Sequence, residues 1–310
     1  MPINTLEFAE KLTGELDKLF VQGPVTGFFA DNVLRAKFVG AKTVLIPEMG
    51  LSGLGKYDRD TGFIQGSVSV SNHPYTLEMD RARSFQLDRE DEDETGIANL
   101  AGQVLGEFVR TKVVPEVDAY CLSKLAGLAV TKGHTVSGTP ETKAFKMFTE
   151  ACTAVQGEVG FDEPLVCFVN PTVWAAIQNT TELSRQLSVT EFKKGDAHIM
   201  VKSINGIAIL PVADARMKSA FDFYDGADHS TEEGGVDQRI GGFVPQANAK
   251  SIGMLVMPKK AASLVKKTER VRTFAPDQNQ QADAYKFDYR TYYDLIVKNS
   301  VADSIYAYVY

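Results

Sequence analysis

Hydrophobic positions along the chain fall into segments of different period. Leu6, Phe8, Ala9, Leu12, Leu16, Leu19 and Phe20 recur at helical spacing, while Glu7, Glu10, Lys11, Glu15, Asp17 and Lys18 take the opposite face. That pattern predicts an amphipathic helix ended by Gly23-Pro24. From Ala41 to Arg83 the period becomes two. AKTVLIP reads as a strand, Val68 and Val70 alternate with Ser67, Ser69 and Ser71, and Tyr75, Leu77 and Met79 alternate with Thr76, Glu78 and Asp80. The sequence between them, GLSGLGKYDRDTG, is polar and glycine-rich, so this part reads as a long two-stranded arm with a flexible tip. An isolated hairpin is marginal in water, and this one has few apolar residues for a core of its own. Its support has to come from outside the segment.

At Asp88 the acidic run DREDEDET leads into a helical pattern. Ile97, Leu100, Ala101, Val104, Leu105, Phe108, Val117, Cys121, Leu125 and Leu128 carry it over about 38 residues to Gly133, well past the ~8–20 usual for a globular helix. The acids lie at the positive end of the helix dipole and stabilise its start. Pro115 falls inside the pattern, where its missing N–H and its ring should kink or break the helix. After the linker TKGHTVSGT come a helix from about Pro140 to Val155, a strand PLVCFV, and PTVWAAIQN, a helix with Pro171 in its first turn. INGIAILPV reads as one further strand, DFYDGADHSTEEGGVDQRIGG as a long polar stretch, and SIGMLVMP with KKAASLVKKTERVRTF as a return to order. Together they suggest a compact α/β domain from about Lys132 to Pro276. Seven of the eleven tyrosines fall between Tyr285 and Tyr310, in two or three alternating strands.

Composition narrows the class of protein. A chain of 310 residues with 44% hydrophobic and 24% charged positions has material for about two globular domains, which excludes disorder, collagen and a small disulfide scaffold. The formal charge of -7 gives no global field for a phosphate backbone or an anionic membrane. Cys121, Cys152 and Cys167 are odd in number, widely spaced and without a C-x-x-C pair, as for reduced thiols. The first residues lack a basic region followed by an apolar stretch, and no apolar run approaches the ~20 residues of a membrane span. The expectation is a cytoplasmic, unprocessed, soluble product with no membrane partner.

Candidate chemistry is thin. Gly50-x4-Gly55-Lys56 imitates a phosphate-binding loop, but Tyr57 stands where a Ser or Thr is needed and no helix pattern follows; Asp58, Arg59, Asp60 and Gly62 continue a turn. His73, His134, His198 and His229 are scattered, and none has a second histidine at metal-ligand spacing. Asp222, Asp225, Asp228, Glu232 and Glu233 crowd one loop with His229 without the spacing of a calcium loop, so a solvated loop is the expectation. No G-x-S-x-G elbow is present, and Cys152 and Cys167 lie in apolar patterns that favour inert thiols. No enzyme activity and no cofactor are expected. An arm that cannot fold alone, a very long helix, an α/β domain and a terminal aromatic sheet suggest a chain that completes its burial against copies of itself.

The segment YTLEMDRARSFQLDREDEDETGIANLAGQVLGEFVRTKVVPEVDAYCLSKLAG resembles tailed-bacteriophage major capsid proteins of the Hong Kong 97 type. In that family a strand ending Asp-Arg-x-Arg-Ser-Phe leads through an acidic cluster into a long spine helix. The matching positions are Asp80, Arg81, Arg83, Ser84 and Phe85, then Asp91, Asp93, Glu94 and Thr95, then Val113 to Tyr120. The end is similar as well, with Arg272, Phe274 and Pro276, then Asp283, Ala284 and Tyr285, then Arg290, Tyr292, Asp294, Leu295, Asn299, Ile305, Tyr306 and Ala307; Thr273 interrupts the first element.

The resemblance implies an α+β capsid fold: an N-terminal arm (1–40), an extended β-hairpin loop (41–85), a peripheral domain with the spine helix (86–131), an axial α/β domain (132–275) and C-terminal strands returning to the peripheral domain (276–310). It implies pentamers and hexamers that close into an icosahedral shell around double-stranded DNA, assembled in a bacterial cytoplasm and ending in the virion. Portal, maturation or decoration proteins are further implied partners, and the short lead into the arm favours a separate scaffolding protein over a cleaved one. The loop would lie over a neighbouring subunit. Lys56, Asp58, Arg59, Asp60, Arg81, Arg83, Asp88, Glu90 and Asp91 are then the candidate intersubunit contacts, with ordinary surface charge as the alternative, and Pro115 is the expected kink of the spine helix. Lys56 carries no local mark of a reactive, crosslinking lysine. Lys11, Lys18, Arg35, Lys37 and Lys42 would make weak, sequence-independent contact with the genome. An encapsulin-like shell around an enzyme cargo and a soluble α/β enzyme are the competing readings.

Overall fold

One long helix organises the structure, a computed structural model that describes residues 21–32, 37–39, 42–60, 62–89, 100–138, 140–180, 187–194, 197–231 and 235–310. The helix runs as α1 (Leu100–Phe108), a π-helical turn (Val109–Val113) and α2 (Val114–Lys132). A break at Pro115 is not what happens. Phe108 and Val114, on either side of the π-turn, both keep right-handed helical angles, and Pro115 sits in the first turn of α2. The physical reason lies one turn earlier. The proline has no N–H to give Thr111, and its ring would press on that carbonyl in a regular helix; Thr111 lies within the π-turn, where the backbone is wider. The amphipathic pattern of residues 6–20 and the acidic residues 90–94 fall outside the described residues.

The strands follow in chain order. A short β1 (Lys37–Val39), β2 (Thr43–Leu51) and β3 (Val68–Thr76) form an antiparallel sheet in which β2 and β3 are the expected long hairpin. β4 (Met79–Asp88) then leaves for another sheet. Beyond α2 come α3 (Pro140–Val159), β5 (Leu165–Val169), α4 (Pro171–Gln178), β6 (Leu187–Lys194), β7 (Ala197–Ile204) and β8 (Ile207–Pro211). INGIAILPV is therefore not one strand. Asn205 and Gly206 both adopt positive φ, 51° and 76°, and turn the chain between β7 and β8, as an Asn-Gly pair does in a tight hairpin. The pairs β9 (Phe221–Phe223) with β10 (Phe243–Pro245) close the polar stretch at its base. β11 (Ile252–Pro258), β12 (Ala262–Phe274), β13 (Ala284–Val297) and β14 (Tyr306–Val309) complete the chain.

Two sheets carry the body. The six-stranded sheet has the order β14-β11-β5-β8-β7-β6, and the three-stranded sheet the order β12-β13-β4. This differs from the expected division at 275/276, which cuts through a single hairpin: β12 and β13 are its two arms, and both belong with β4. The last strand does not return with them. β14 pairs with β11 instead, because Ile305 and Ala307 are needed to close the core at the edge of the larger sheet.

The six-stranded sheet is covered on both sides, which explains why every residue of β11 is buried. On one side Ile252, Leu255 and Met257 meet Cys121, Leu122, Leu125, Ala126 and Ala129 of α2. On the other, Met254 and Val256 meet Met147, Phe148, Ala151 and Val155 of α3 with Trp174 and Ile177 of α4. Asn170 caps α4 by accepting the Val173 N–H at 2.8 Å. Gly253 is fixed by close approach, since a Cβ there would fall 2.4 Å from the ring of Tyr308 on β14.

Candidate assembly surface

The β2–β3 hairpin is apolar at both ends, for different reasons. At its root Val44, Ile46 and Leu77 pack with Tyr292 and Ile296 of β13, and the Tyr292 hydroxyl donates to the Leu77 carbonyl at 3.1 Å. This is the support from outside the segment that the sequence demands. Farther out the body ends and the strands continue. Met49 faces Val70 and Leu51 faces Val68 across the ladder, so the four side chains share one face, and all are more than 60% exposed. Alternation is as read from the sequence, but the aliphatic side of that alternation points into solvent. Leu54, Phe63 and Ile64 extend the apolar surface at the tip, where Tyr57 and Phe63 meet edge to face at 5.1 Å. Fully burying side chains of this size is worth about 1.5–3 kcal/mol each, so seven of them represent on the order of 10 kcal/mol before ordering costs.

Charged residues surround this tip. Asp58 and Gly62 exchange backbone hydrogen bonds, and the Asp58 carboxylate accepts the Asp60 N–H at 2.8 Å, which brings the chain back on itself between Asp58 and Gly62. Lys56, Asp58, Arg59 and Asp60 are all exposed there. The tip forms no phosphate cradle, and Gly50 belongs to β2.

Arg81 and Arg83 stand elsewhere, on β4. Arg81 grips both oxygens of Glu116 on α2, at 2.6 and 3.2 Å, and donates to the carbonyls of Tyr224 at 2.7 Å and Gly242 at 3.1 Å. It thus ties the hairpin's outgoing strand, the long helix and the β9–β10 loop inside one subunit. Arg83 donates to the Arg239 carbonyl at 3.0 Å and lies beside Gly226 and Gly241 of the same loop. These are the partners of Arg81 and Arg83 within one subunit; the contacts with a neighbouring subunit that the sequence leads one to expect concern the assembly. Asp88 is exposed at the end of β4, while Glu90 and Asp91 lie outside the described residues.

Sequence reasoning missed the most buried charge pair among the described residues. Asp118 of α2 and Arg216 meet at 2.7 Å with side-chain exposures of 1% and 3%. The Asp118 carboxylate also accepts the Val25 N–H, the Thr26 N–H and the Thr26 hydroxyl, while Arg216 donates to the carbonyls of Gln22 and Gly23. Burial pushes the Asp118 carboxyl up, and these donors with the guanidinium pull against it. The pair therefore locks the root of the N-terminal segment onto the body. A second network joins α2 to β13: Asp294 accepts from Tyr120 at 2.7 Å and Lys124 at 2.5 Å.

The remaining chemistry is structural. All three cysteines are buried and free; burial pushes the Cys152 thiol up to about 12 and raises those of Cys121 and Cys167 as well. In the acidic loop Asp225 accepts from Ala227 and sits 2.9 Å from His229, Asp228 accepts from Ser230, and Asp222 accepts from Gln246. Glu232 and Glu233 lie outside the described residues. His73 lies 2.9 Å from Glu48 on the hairpin, and His134 stacks on Tyr306. Among the described residues no group of three His, Cys, Asp or Glu is placed to hold a metal ion, and no helix is long and apolar enough to cross a membrane.

No protein-family model and no curated protein matches the sequence. Solved structures do match. The chain superposes on one from Mycobacterium phage Che8 with a TM-score of 0.57 and 11% identity, over 99% of this chain and 98% of that one. It superposes on the capsid structure of the cyanophage P-SCSP1u with a TM-score of 0.60 and 14% identity, over 98% and 93% of the two chains. For the mature capsid of bacteriophage PhiM1 the TM-score is 0.57 and the identity 15%, over 99% and 96%. Likeness over nearly the whole of both chains at such low identity is likeness of architecture: the chain has the mixed α+β fold of phage capsid subunits.

Proposed function

We propose that the chain is a major capsid protein of the Hong Kong 97 type, a structural subunit that assembles through pentamers and hexamers into an icosahedral shell around double-stranded DNA. The observation that carries this is the distal half of the β2–β3 hairpin, which has secondary structure and an exposed aliphatic face with no core beneath it among the described residues. A hairpin in that condition is stable when a neighbouring subunit covers it. The near-full-length likeness to capsid structures supports the same reading. In this reading the hairpin is the extended loop, α1 and α2 with the three-stranded sheet form the peripheral domain, and the six-stranded sheet with α3 and α4 forms the axial domain. Lys56, Asp58, Arg59 and Asp60 meet the neighbour at the loop tip, and Arg81, Arg83, Asp88, Glu90 and Asp91 are the further intersubunit contacts of this reading. A scaffolding protein, a portal and decoration proteins are the further partners, and contact with packaged DNA is weak and non-specific.

The test is electron microscopy of particles isolated from cells that express the protein with its neighbouring genes, followed by analysis of their contents. Closed icosahedral shells holding nuclease-resistant DNA are the expected result. Shells holding an enzyme instead of DNA would make this a cargo compartment, and absence of shells would overturn the structural reading altogether.

A further inference from the structure

The three-stranded sheet β12-β13-β4 has two unlike faces. One meets the long helix, where Phe108 packs edge-on against Phe85 and Tyr289. Alternation sends Arg270, Arg272, Lys286 and Arg290, with Asp80 and Asp288, to the other. Register places Arg270 directly opposite Arg290, and like charges so placed destabilise a sheet unless something answers them. Arg290 is answered by Asp80 in a two-point contact at 2.9 and 2.6 Å. Arg272 is answered by Asp288 at 2.9 Å, and Ser84 donates to the same carboxylate at 2.7 Å. Arg270 has no carboxylate partner among the described residues. Beside it opens a depression of about 340 Å³ whose lining includes Arg83, Ser84, Arg270, Arg272, Asp288 and Arg290.

We propose that this face is the seat of the acidic run Asp88–Glu94 of a second copy of the chain. The proposal rests on the reading that copies assemble side by side. The face carries a surplus of cations on a chain whose total charge is -7, so the cationic surplus is local and runs against the whole. The matching surplus of acid is local too: the seven residues DREDEDE hold six carboxylates and one arginine. Within one subunit the described flanks of the run lie away from Arg270 and Arg290. Asp88 pairs with Ala284 at the far end of β4, and α1 begins on the helix side, where Val104 packs on Leu87 and Phe287. Arg290 pairs with Ala82, six residues back along β4 from Asp88, or about 20 Å. A polypeptide suits the face better than a phosphate backbone, because Asp80 and Asp288 repel phosphates but can accept from Arg89 of the incoming run.

The experiment compares wild-type protein with Arg270→Glu and with a charge swap that adds Asp91→Arg and Asp93→Arg to it. Arg270 is exposed, has no carboxylate partner among the described residues and faces Arg290 across the ladder, so Arg270→Glu keeps or raises the wild-type melting temperature, which is checked first. Expected is a rise of about tenfold in the concentration needed for assembly, equivalent to about 1.4 kcal/mol, with recovery in the charge swap. Assembly of Arg270→Glu at wild-type concentration, or a charge swap that fails to recover it, overturns the proposal while leaving the capsid reading intact. Normal assembly with less retained DNA overturns it in favour of a nucleic-acid face. Failure of the wild-type chain to assemble at all overturns the capsid reading on which the proposal stands.

Discussion

Asp118 and Arg216 meet 98 residues apart in sequence and are nearly sealed from solvent. Removing one partner of such a pair strands the other charge, so Asp118→Ala and Arg216→Ala should each lower stability by about 3–5 kcal/mol, read from denaturant unfolding of the unassembled subunit. The tyrosines make a separate prediction. Burial raises the phenols of Tyr120 and Tyr293, and for Tyr120 the Asp294 carboxylate adds to the effect. A folded-state value above the unfolded one of about 10 means that stability is complete below pH 10 and is lost as pH rises beyond it. Melting temperatures should therefore hold up to about pH 10 and fall above it. Tyr293 carries a buried hydroxyl with no partner among the described residues, so Tyr293→Phe should cost nothing or stabilise by about 1 kcal/mol, and should flatten the alkaline loss. At this scale the sequence is informative where a residue type speaks for its own environment: Cys152 and Cys167, in apolar patterns, are buried. It was silent where meaning comes from a distant partner. Asp118 sits in the helical pattern like any surface acid, and only folding brings Arg216 and Val25 to it.

Hairpin β2–β3 and the long helix behave differently under the same kind of reading. Period-two alternation marked both strands of the hairpin, and the 3.6-residue period marked the helix, because local periodicity follows from local geometry. Which face of the hairpin is covered did not follow. Its root borrows Tyr292 and Ile296 from β13, over two hundred residues away, while the aliphatic side of its outer half is left bare. Substitutions should separate the two halves. Leu77→Ala, at the root, should destabilise the subunit by about 2–5 kcal/mol. Met49→Ser with Leu51→Ser should leave its melting temperature within error of wild type while abolishing assembly, measured by light scattering. Equal loss of stability in both variants would mean that the outer half folds onto its own subunit. Pro115 illustrates the limit of a residue rule applied to an element: the clash it predicts is real, and the helix absorbs it in the π-turn of Val109–Val113 without ending.

For the whole molecule only part of the order of elements is legible, since the strands at Leu187–Lys194, Ala197–Ile204, Phe221–Phe223 and Phe243–Pro245 are not among those the pattern predicts, and the pairing is not legible at all. The sequence shows strands near residues 165, 290 and 307 and a return to order from residue 251, yet nothing local says that β12 and β13 join β4 while β14 crosses to β11. Those choices are made by long-range burial, where β11 must be covered on both sides and the tyrosines of β13 must meet α2. The acidic total of -7 says little about assembly by itself; what matters is its segregation into a cationic sheet face and an acidic run. The account's central claim is that the bare half of the hairpin is bare only in a lone subunit. Sedimentation velocity of the purified protein over a wide concentration range, with electron microscopy of the fastest fraction, addresses it most directly. The account predicts discrete capsomer-sized species and closed shells, in both of which Met49, Leu51, Val68 and Val70 become protected. A monomer or dimer that persists at high concentration, with crowding agents and co-expressed neighbouring genes, would contradict it.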